Sequence, residues 1–199
     1  MRLTTLILGA AVTLVFALPA GANELSFTAA LSGANESPPN ASTGIGSALI
    51  TIDDTSFVMR VQASFTGLLG PTSAAHIHCC TAAPGTGTAG VATTVPSFAG
   101  FPLGVMSGTY DQSFDMTLAS GWNGAFITAN GGGTGTSFSA LLAGLNSGKA
   151  YFNIHTNLYP SGEIRRFLVA APVPEPSSVA LMLAGLGVLG VAARRRRAH

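Results

Sequence analysis

Charged side chains are scarce in this sequence. Only 9% of its 199 residues are charged, whereas ordinary soluble domains contain about 25%. Between Asn23 and Pro172 there are four basic and seven acidic side chains, which give this region a net charge of −3. Proteins that bind nucleic acid need a basic surface to neutralise phosphates, and this region has no surplus of basic residues. The composition therefore excludes a nucleic-acid partner.

The familiar catalytic motifs are also missing. The sequence contains no Gly-x-Ser-x-Gly, no His-Glu-x-x-His and no pair of carboxylates in an evident cleft setting. Residues 85–90 fit the string Gly-x-Gly-x-x-Gly, but Pro84 precedes them and no helical pattern follows, so no dinucleotide site is predicted. Glu163 and Arg165 alternate on one predicted strand and should form an ion pair at the surface. We therefore expect a protein that is not an enzyme.

The N-terminal segment has the pattern of an export signal. Arg2 gives it a positive start, residues 3–18 form an apolar run, and residues 20–22 (Ala-Gly-Ala) are a small-x-small cleavage site. We predict that residues 1–22 are a signal peptide. Signal peptidase would cut between Ala22 and Asn23, so the mature chain begins at Asn23.

The C-terminal segment, residues 172–199, has the pattern of a membrane span. Its first part contains three prolines, which end any strand or helix. Residues 177–193 follow without a charge, and 17 residues are at the lower limit for a helix that crosses a bilayer. The basic residues Arg194, Arg195, Arg196 and Arg197 come next and should stay in the cytoplasm. The pattern predicts a transmembrane helix over about 177–193, with the preceding domain outside the cytoplasm.

The same segment resembles a known sorting signal. The box Pro174-Glu175-Pro176, the short hydrophobic helix and the terminal arginines resemble, in order and spacing, the PEP-CTERM signal of exported bacterial proteins. The resemblance implies a Gram-negative producer of extracellular polysaccharide. It also implies that a membrane-embedded exosortase recognises the box and removes the tail. Hydropathy alone fits a plain C-terminal anchor equally well.

The central region has the alternation of β-strands. Apolar residues recur at every second position in several short stretches, among them residues 25–31, 48–52 and 114–118. Short strands are also predicted around Phe138, over 151–156 and over 163–169. No apolar stripe of helical period extends over three turns. The pattern predicts one domain over residues 23–171, an all-β, Greek-key-like antiparallel sandwich or barrel of about seven to nine strands. Its clearest stretch places apolar side chains at every second position: Phe57, Met59, Val61, Ala63 and Phe65.

Two parts of this region resemble each other. Gly67-Leu68 stands before His76-Ile77-His78 at the same spacing as Gly144-Leu145 before Asn153-Ile154-His155, with an offset of 77 throughout. Each part is predicted as a strand, a glycine turn and a second strand. The spacing therefore predicts two pseudo-symmetric halves.

Five sequence motifs in the central region resemble the CHRD domain, first named from chordin. They lie in the family's order: Leu31–Pro39 (LSGANESPP), Phe65–Leu68 (FTGL), Ala75–His78 (AHIH), Tyr151–His155 (YFNIH) and Gly162–Arg165 (GEIR). The resemblance covers about residues 25–168 and implies a β-sandwich module. Chordin is a secreted antagonist of growth factors, but that role belongs to a whole multidomain protein and is not carried over. Cys79-Cys80 departs from the Gly and Pro that many relatives have after the histidine pair.

Three histidines are candidate metal ligands. His76 and His78 lie two residues apart on a strand, so both side chains project from one face. His155, on the matching strand, can supply a third imidazole. Three imidazoles suit zinc or copper and leave one coordination position open. The alternative is that His76 and His155 lie on a solvent-facing surface and form hydrogen bonds across strands, in which case no cofactor is expected.

Cys79 and Cys80 are the only cysteines, and an exported domain meets oxidising conditions. Adjacent Cα atoms joined by a trans peptide lie about 3.8 Å apart, closer than a usual disulfide allows. A vicinal disulfide is one interpretation, and two free or capped thiols are an equal one. Soft metal ligands beside His78 are a third.

These patterns together predict an exported, non-enzymatic β module with a binding or structural role. An exosortase-type system would sort it to the cell envelope or the extracellular matrix. It would sit in the inner membrane before processing, and exopolysaccharide or another envelope protein are the expected partners. The alternative function is an extracytoplasmic zinc or copper protein that uses His76, His78 and His155.

The sorting signal predicts that the tail is cut. Mature protein from the native host should end between Val173 and Pro176 and lack the four arginines, because the prolines keep the box extended outside the bilayer. Glu175→Ala should leave the full-length form in the membrane. Intact mass spectrometry measures both, and native protein that still ends at His199 would identify the tail as an ordinary anchor.

Overall fold

The computed structural model describes residues 24–171 and 185–186. The predicted signal peptide, its cleavage site at Ala22 and Asn23, the Pro174-Glu175-Pro176 box and the arginines at 194–197 lie outside the described residues. Only two residues of the predicted transmembrane helix are described. Within the described residues, no helix has the length and apolar character needed to cross a membrane.

The described chain folds into one curled antiparallel sheet that forms a half-barrel. Its strands are β1 (Glu24–Ser32), β2 (Ile45–Asp53), β3 (Val58–Thr66), β4 (Thr72–His78), β5 (Gly108–Asp115), β6 (Tyr151–Thr156), β7 (Ile164–Phe167) and β8 (Val169–Ala170). Their spatial order is β4-β6-β7-β1-β2-β3-β5, and β8 pairs with β1. The chain leaves the domain at Ala171, whose N–H donates to the Ser26 carbonyl near the beginning of β1. The predicted all-β antiparallel fold is confirmed.

The alternation of apolar residues explains the strands. On β3 the residues Met59, Val61, Ala63 and Phe65 are buried, as the period of two predicts. Phe57 lies outside the strand, in the preceding turn, with a φ of 57°. The same alternation on β1 and β2 gives one continuous hydrophobic core that extends from Phe27 to Leu168 along the chain.

Two short helices complete the fold, α1 (Gly124–Ala129) and α2 (Thr134–Asn146). The predicted strand around Phe138 is therefore wrong. So is the predicted repeat, because Gly144-Leu145 lies inside α2 whereas Gly67 forms a turn after β3 with a φ of 67°. The buried residues of α2 do follow a helical period: Ser137, Phe138, Leu141, Gly144 and Leu145. Serine, threonine and glycine favour helices poorly, and their number in this segment obscured the pattern.

A buried carboxylate joins the ends of several strands. One oxygen of Glu163 accepts hydrogen bonds from Ser42 Oγ and from the Leu69 N–H, both at 2.6 Å. The other accepts from Thr156 Oγ1 at 2.7 Å and from the Gly70 N–H at 3.2 Å. Burial opposes ionisation of Glu163, but these four donors outweigh it and hold the pKa of the carboxyl below its ordinary value.

The predicted surface ion pair between Glu163 and Arg165 is wrong, because both side chains are buried. Arg165 instead donates from Nε to the Asn35 carbonyl at 2.7 Å, and the same Nε lies 3.7 Å from Glu36 Oε2. The loops around Asn35 and Leu69 cover a face that the sequence pattern had left to solvent.

Replacing Glu163 with glutamine tests this anchor. The amide would direct N–H groups at a donor and leave buried polar groups without partners, so Glu163→Gln should lower the free energy of unfolding by about 3 kcal/mol. The matched control Glu24→Gln changes an exposed residue and should have an effect within about 0.5 kcal/mol. Urea unfolding of the full chain in detergent measures both, and equal effects would contradict the anchoring role.

Candidate metal centre

The pairing of β4 with β6 places the three histidines together. In this antiparallel pair Ala74 lies opposite His155, and His76 lies opposite Asn153. Because side chains alternate along a strand, His76, His78 and His155 project from the same face of the sheet. Each offers one ring nitrogen to a group in which all three nitrogens lie within 4.8 Å of one another. The structure thus brings together all three histidines that the sequence singled out.

Each imidazole is oriented by one backbone carbonyl, and the three carbonyls come from three loops. His76 Nε2 lies 2.6 Å from the Pro96 carbonyl, His78 Nδ1 2.9 Å from that of Ala89, and His155 Nδ1 2.9 Å from that of Pro160. A carbonyl oxygen can only accept, so each of these nitrogens carries the proton. The other ring nitrogen of each neutral histidine therefore has a free lone pair.

The three free lone pairs are buried. They belong to Nδ1 of His76, Nε2 of His78 and Nε2 of His155, and none has a hydrogen-bond partner among the described residues. A hydrogen bond that fixes the protonated nitrogen and leaves the other for a ligand is the arrangement found around metal-bound histidines.

The electrostatic surroundings keep the imidazoles neutral. Burial lowers the pKa of His76 to about 4, and the charge of His155 contributes in the same direction. Burial also lowers the pKa of His78 to about 4, against the opposing hydrogen bond to Ala89. The pKa of His155 is lowered by burial as well. At neutral pH all three lone pairs are therefore available to a cation.

An aromatic and cationic layer supports His78. The Tyr151 ring stacks on the His78 ring with centroids 4.7 Å apart and planes at 5°. The guanidinium carbon of Arg165 lies 4.6 Å from the centroid of the Tyr151 ring. The Tyr151 hydroxyl lies 3.3 Å from both the N–H and the carbonyl oxygen of Ala89, the residue whose carbonyl orients His78. Tyr151 is thus a positioning residue for His78.

The three histidines differ in exposure. His76 is 6% exposed and His78 is 8% exposed, whereas His155 is only partly buried. The alternative that placed His76 and His155 on a solvent-facing surface is therefore wrong for His76, because a loop covers its ring and supplies the Pro96 carbonyl as its hydrogen-bond partner. His155 is partly exposed. Metal binding itself stays a prediction.

Cys79 and Cys80 lie next to His78 in the chain but outside the ligand cluster. Their sulfur atoms are bonded to each other, and the peptide bond between them is cis. A methyl group on Gly144 would overlap both sulfurs, so α2 packs directly against them. Cys79 is buried and Cys80 is exposed.

Sequence reasoning missed the residues around the histidines. Glu36 is buried beside Arg165, and burial raises the pKa of its carboxyl to about 7, although the Arg165 charge acts in the opposite direction. Glu36, Tyr151 and Arg165 all lie in the motifs that resembled a known family, and that was the available signal. The carbonyls of Ala89, Pro96 and Pro160 carry no side-chain signal at all.

Comparison with known proteins supports both resemblances. A family model described as the CHRD domain matches residues 27–168, and one described as the PEP-CTERM protein-sorting motif matches residues 172–197. No curated protein and no solved structure matches the chain. The PEP-CTERM motif implies exosortase-dependent processing and export to the cell envelope.

Without metal, the buried imidazoles should make the fold sensitive to acid. Histidines in the unfolded chain take up protons near pH 6.5, whereas His76 and His78 in the folded chain do so only near pH 4. The free energy of unfolding therefore decreases as the pH falls from 6.5 to about 4. Glu36 acts in the opposite direction, because its raised pKa favours the folded state at low pH. Urea unfolding with a chelator at pH 7 and pH 5 measures the net effect.

Two variants separate these contributions. His76→Gln should reduce the loss of stability between pH 7 and pH 5 by about 1–2 kcal/mol, because it removes one group that must charge. Glu36→Gln should increase the loss, because it removes the opposing group. If His76→Gln and the unaltered chain lost stability equally, the neutral buried state of His76 would be wrong.

Proposed function

Because the chain belongs to the CHRD domain family, with a PEP-CTERM sorting motif after the domain, we propose that it is an exported envelope protein whose β domain binds one zinc or copper ion. His76, His78 and His155 are the ligands. The proposed role is metal binding without catalysis. Exopolysaccharide and other envelope proteins stay predicted partners.

The observation that carries this proposal is the convergence of three unpartnered lone pairs. A buried acceptor without a hydrogen bond costs about 1–3 kcal/mol, and each of the three rings carries one. The rings are close enough that one nitrogen from each lies within 4.8 Å of the other two. A single metal ion would bind all three at once. Each opposite nitrogen already donates to a carbonyl, so the rings need no change of tautomer to coordinate.

The donor set favours particular metals. Imidazole nitrogen suits zinc and copper, whereas calcium and magnesium prefer oxygen ligands, and no carboxylate joins the cluster in the described part of the chain. A purely structural zinc site is closed by four protein ligands. Three ligands leave one position for a molecule from solution.

Metal analysis of the uncleaved full-length chain, purified in detergent, tests the proposal. After loading and dialysis, the chain should retain about one equivalent of zinc or copper. His76→Ala, His78→Ala and His155→Ala should each weaken binding by more than about 100-fold, because each removes one of three ligands. His199→Ala is the matched control, since this fourth histidine lies outside the domain, and it should retain the metal.

The outcomes separate the alternatives. Loss of metal in all three variants, with circular dichroism unchanged, supports the site. A chain that takes up no zinc or copper at micromolar concentration would overturn the proposal, and so would equal binding by the His155→Ala variant.

A further inference from the structure

The histidine cluster brings no negative charge to a bound metal. All three ligands are neutral imidazoles, and no aspartate, glutamate or cysteine joins them among the residues that the structure describes. A divalent ion would therefore keep its full charge of about +2 in a largely buried site. An uncompensated charge in such surroundings is costly, because water screens it poorly.

The charged residues nearby do not compensate for it. The Arg165 guanidinium lies on the face of Tyr151 opposite to the stacked His78 ring, and it adds a second positive charge. Glu36 is next to Arg165, with Oε2 3.7 Å from Nε, and offsets the arginine rather than the metal. The centre therefore has a net positive field.

The three histidine rings are not equally exposed. His76 and His78 are more than nine-tenths buried, under loops that contain Pro96 and Ala89. His155 is only partly buried and lies next to the turn at Pro160. The free nitrogens of all three rings are buried, so a ligand that approaches from solution past His155, the least covered ring, has to be small.

Resting on the proposed function, we propose that the fourth ligand of the metal is a small inorganic anion taken from solution past His155. The site thus selects its exogenous ligand by charge and by size. An anion of a few atoms satisfies both requirements, whereas a neutral ligand leaves the charge uncompensated and a bulky anion would have to displace the loops that bury His76 and His78.

Azide is a suitable probe for the copper- or cobalt-loaded full chain. Titration followed by visible absorption should show one azide per metal, with a new charge-transfer band that saturates. Imidazole, which is small and neutral, should bind at least about 10-fold more weakly. Benzoate, a bulky anion, should leave the spectrum unchanged.

A charge variant tests the electrostatic cause. At pH 8 Glu36 is ionised, and Glu36→Gln should tighten azide binding about threefold, because the Arg165 charge is then no longer offset. The matched control Glu24→Gln changes an exposed carboxylate and should have no effect.

The possible failures are distinguishable. A chain that binds no metal overturns the proposed function. A chain that binds metal but shows no azide response, or binds imidazole as well as azide, overturns this inference alone and indicates a closed site or one without charge selection. Unchanged azide affinity in Glu36→Gln overturns the role of charge.

Discussion

The four hydrogen bonds accepted by Glu163 hold together the parts of the chain on which the histidine cluster depends. They join the turn before β4, through Leu69 and Gly70, to the end of β6, through Thr156. These two strands carry all three histidines. A slip of one residue in their pairing would turn one strand's side chains to the opposite face, so the cluster exists only in this register.

The sequence predicted what depends on local alternation. It placed strands at β1, β2 and β3, and it placed His76 and His78 on one face because they lie two residues apart. It could not show that β4 and β6 are neighbours, since that pairing joins residues more than 70 positions apart. It also missed α2, whose serines, threonines and glycines have low helix propensity.

The character of the site comes from loops rather than from strands. The strands bring the imidazoles together, but the carbonyls of Ala89, Pro96 and Pro160 decide which nitrogen of each ring holds the proton. The same loops bury the rings and lower their pKa values. Carbonyl oxygens are common to all residues, so neither residue type nor spacing could reveal this part of the site.

The position of Ala171 separates the histidine cluster from the sorting motif. Ala171 is bonded to Ser26, near the beginning of β1, and the sorting motif starts at the next residue. His155 is near the end of β6, which runs parallel to β1 and ends level with Ser32. About 20 Å of strand separates these two levels. The histidine cluster therefore lies at the end of the sheet opposite to the one at which the sorting motif begins, and a protein that handles the motif would meet the domain on the side away from the three imidazoles.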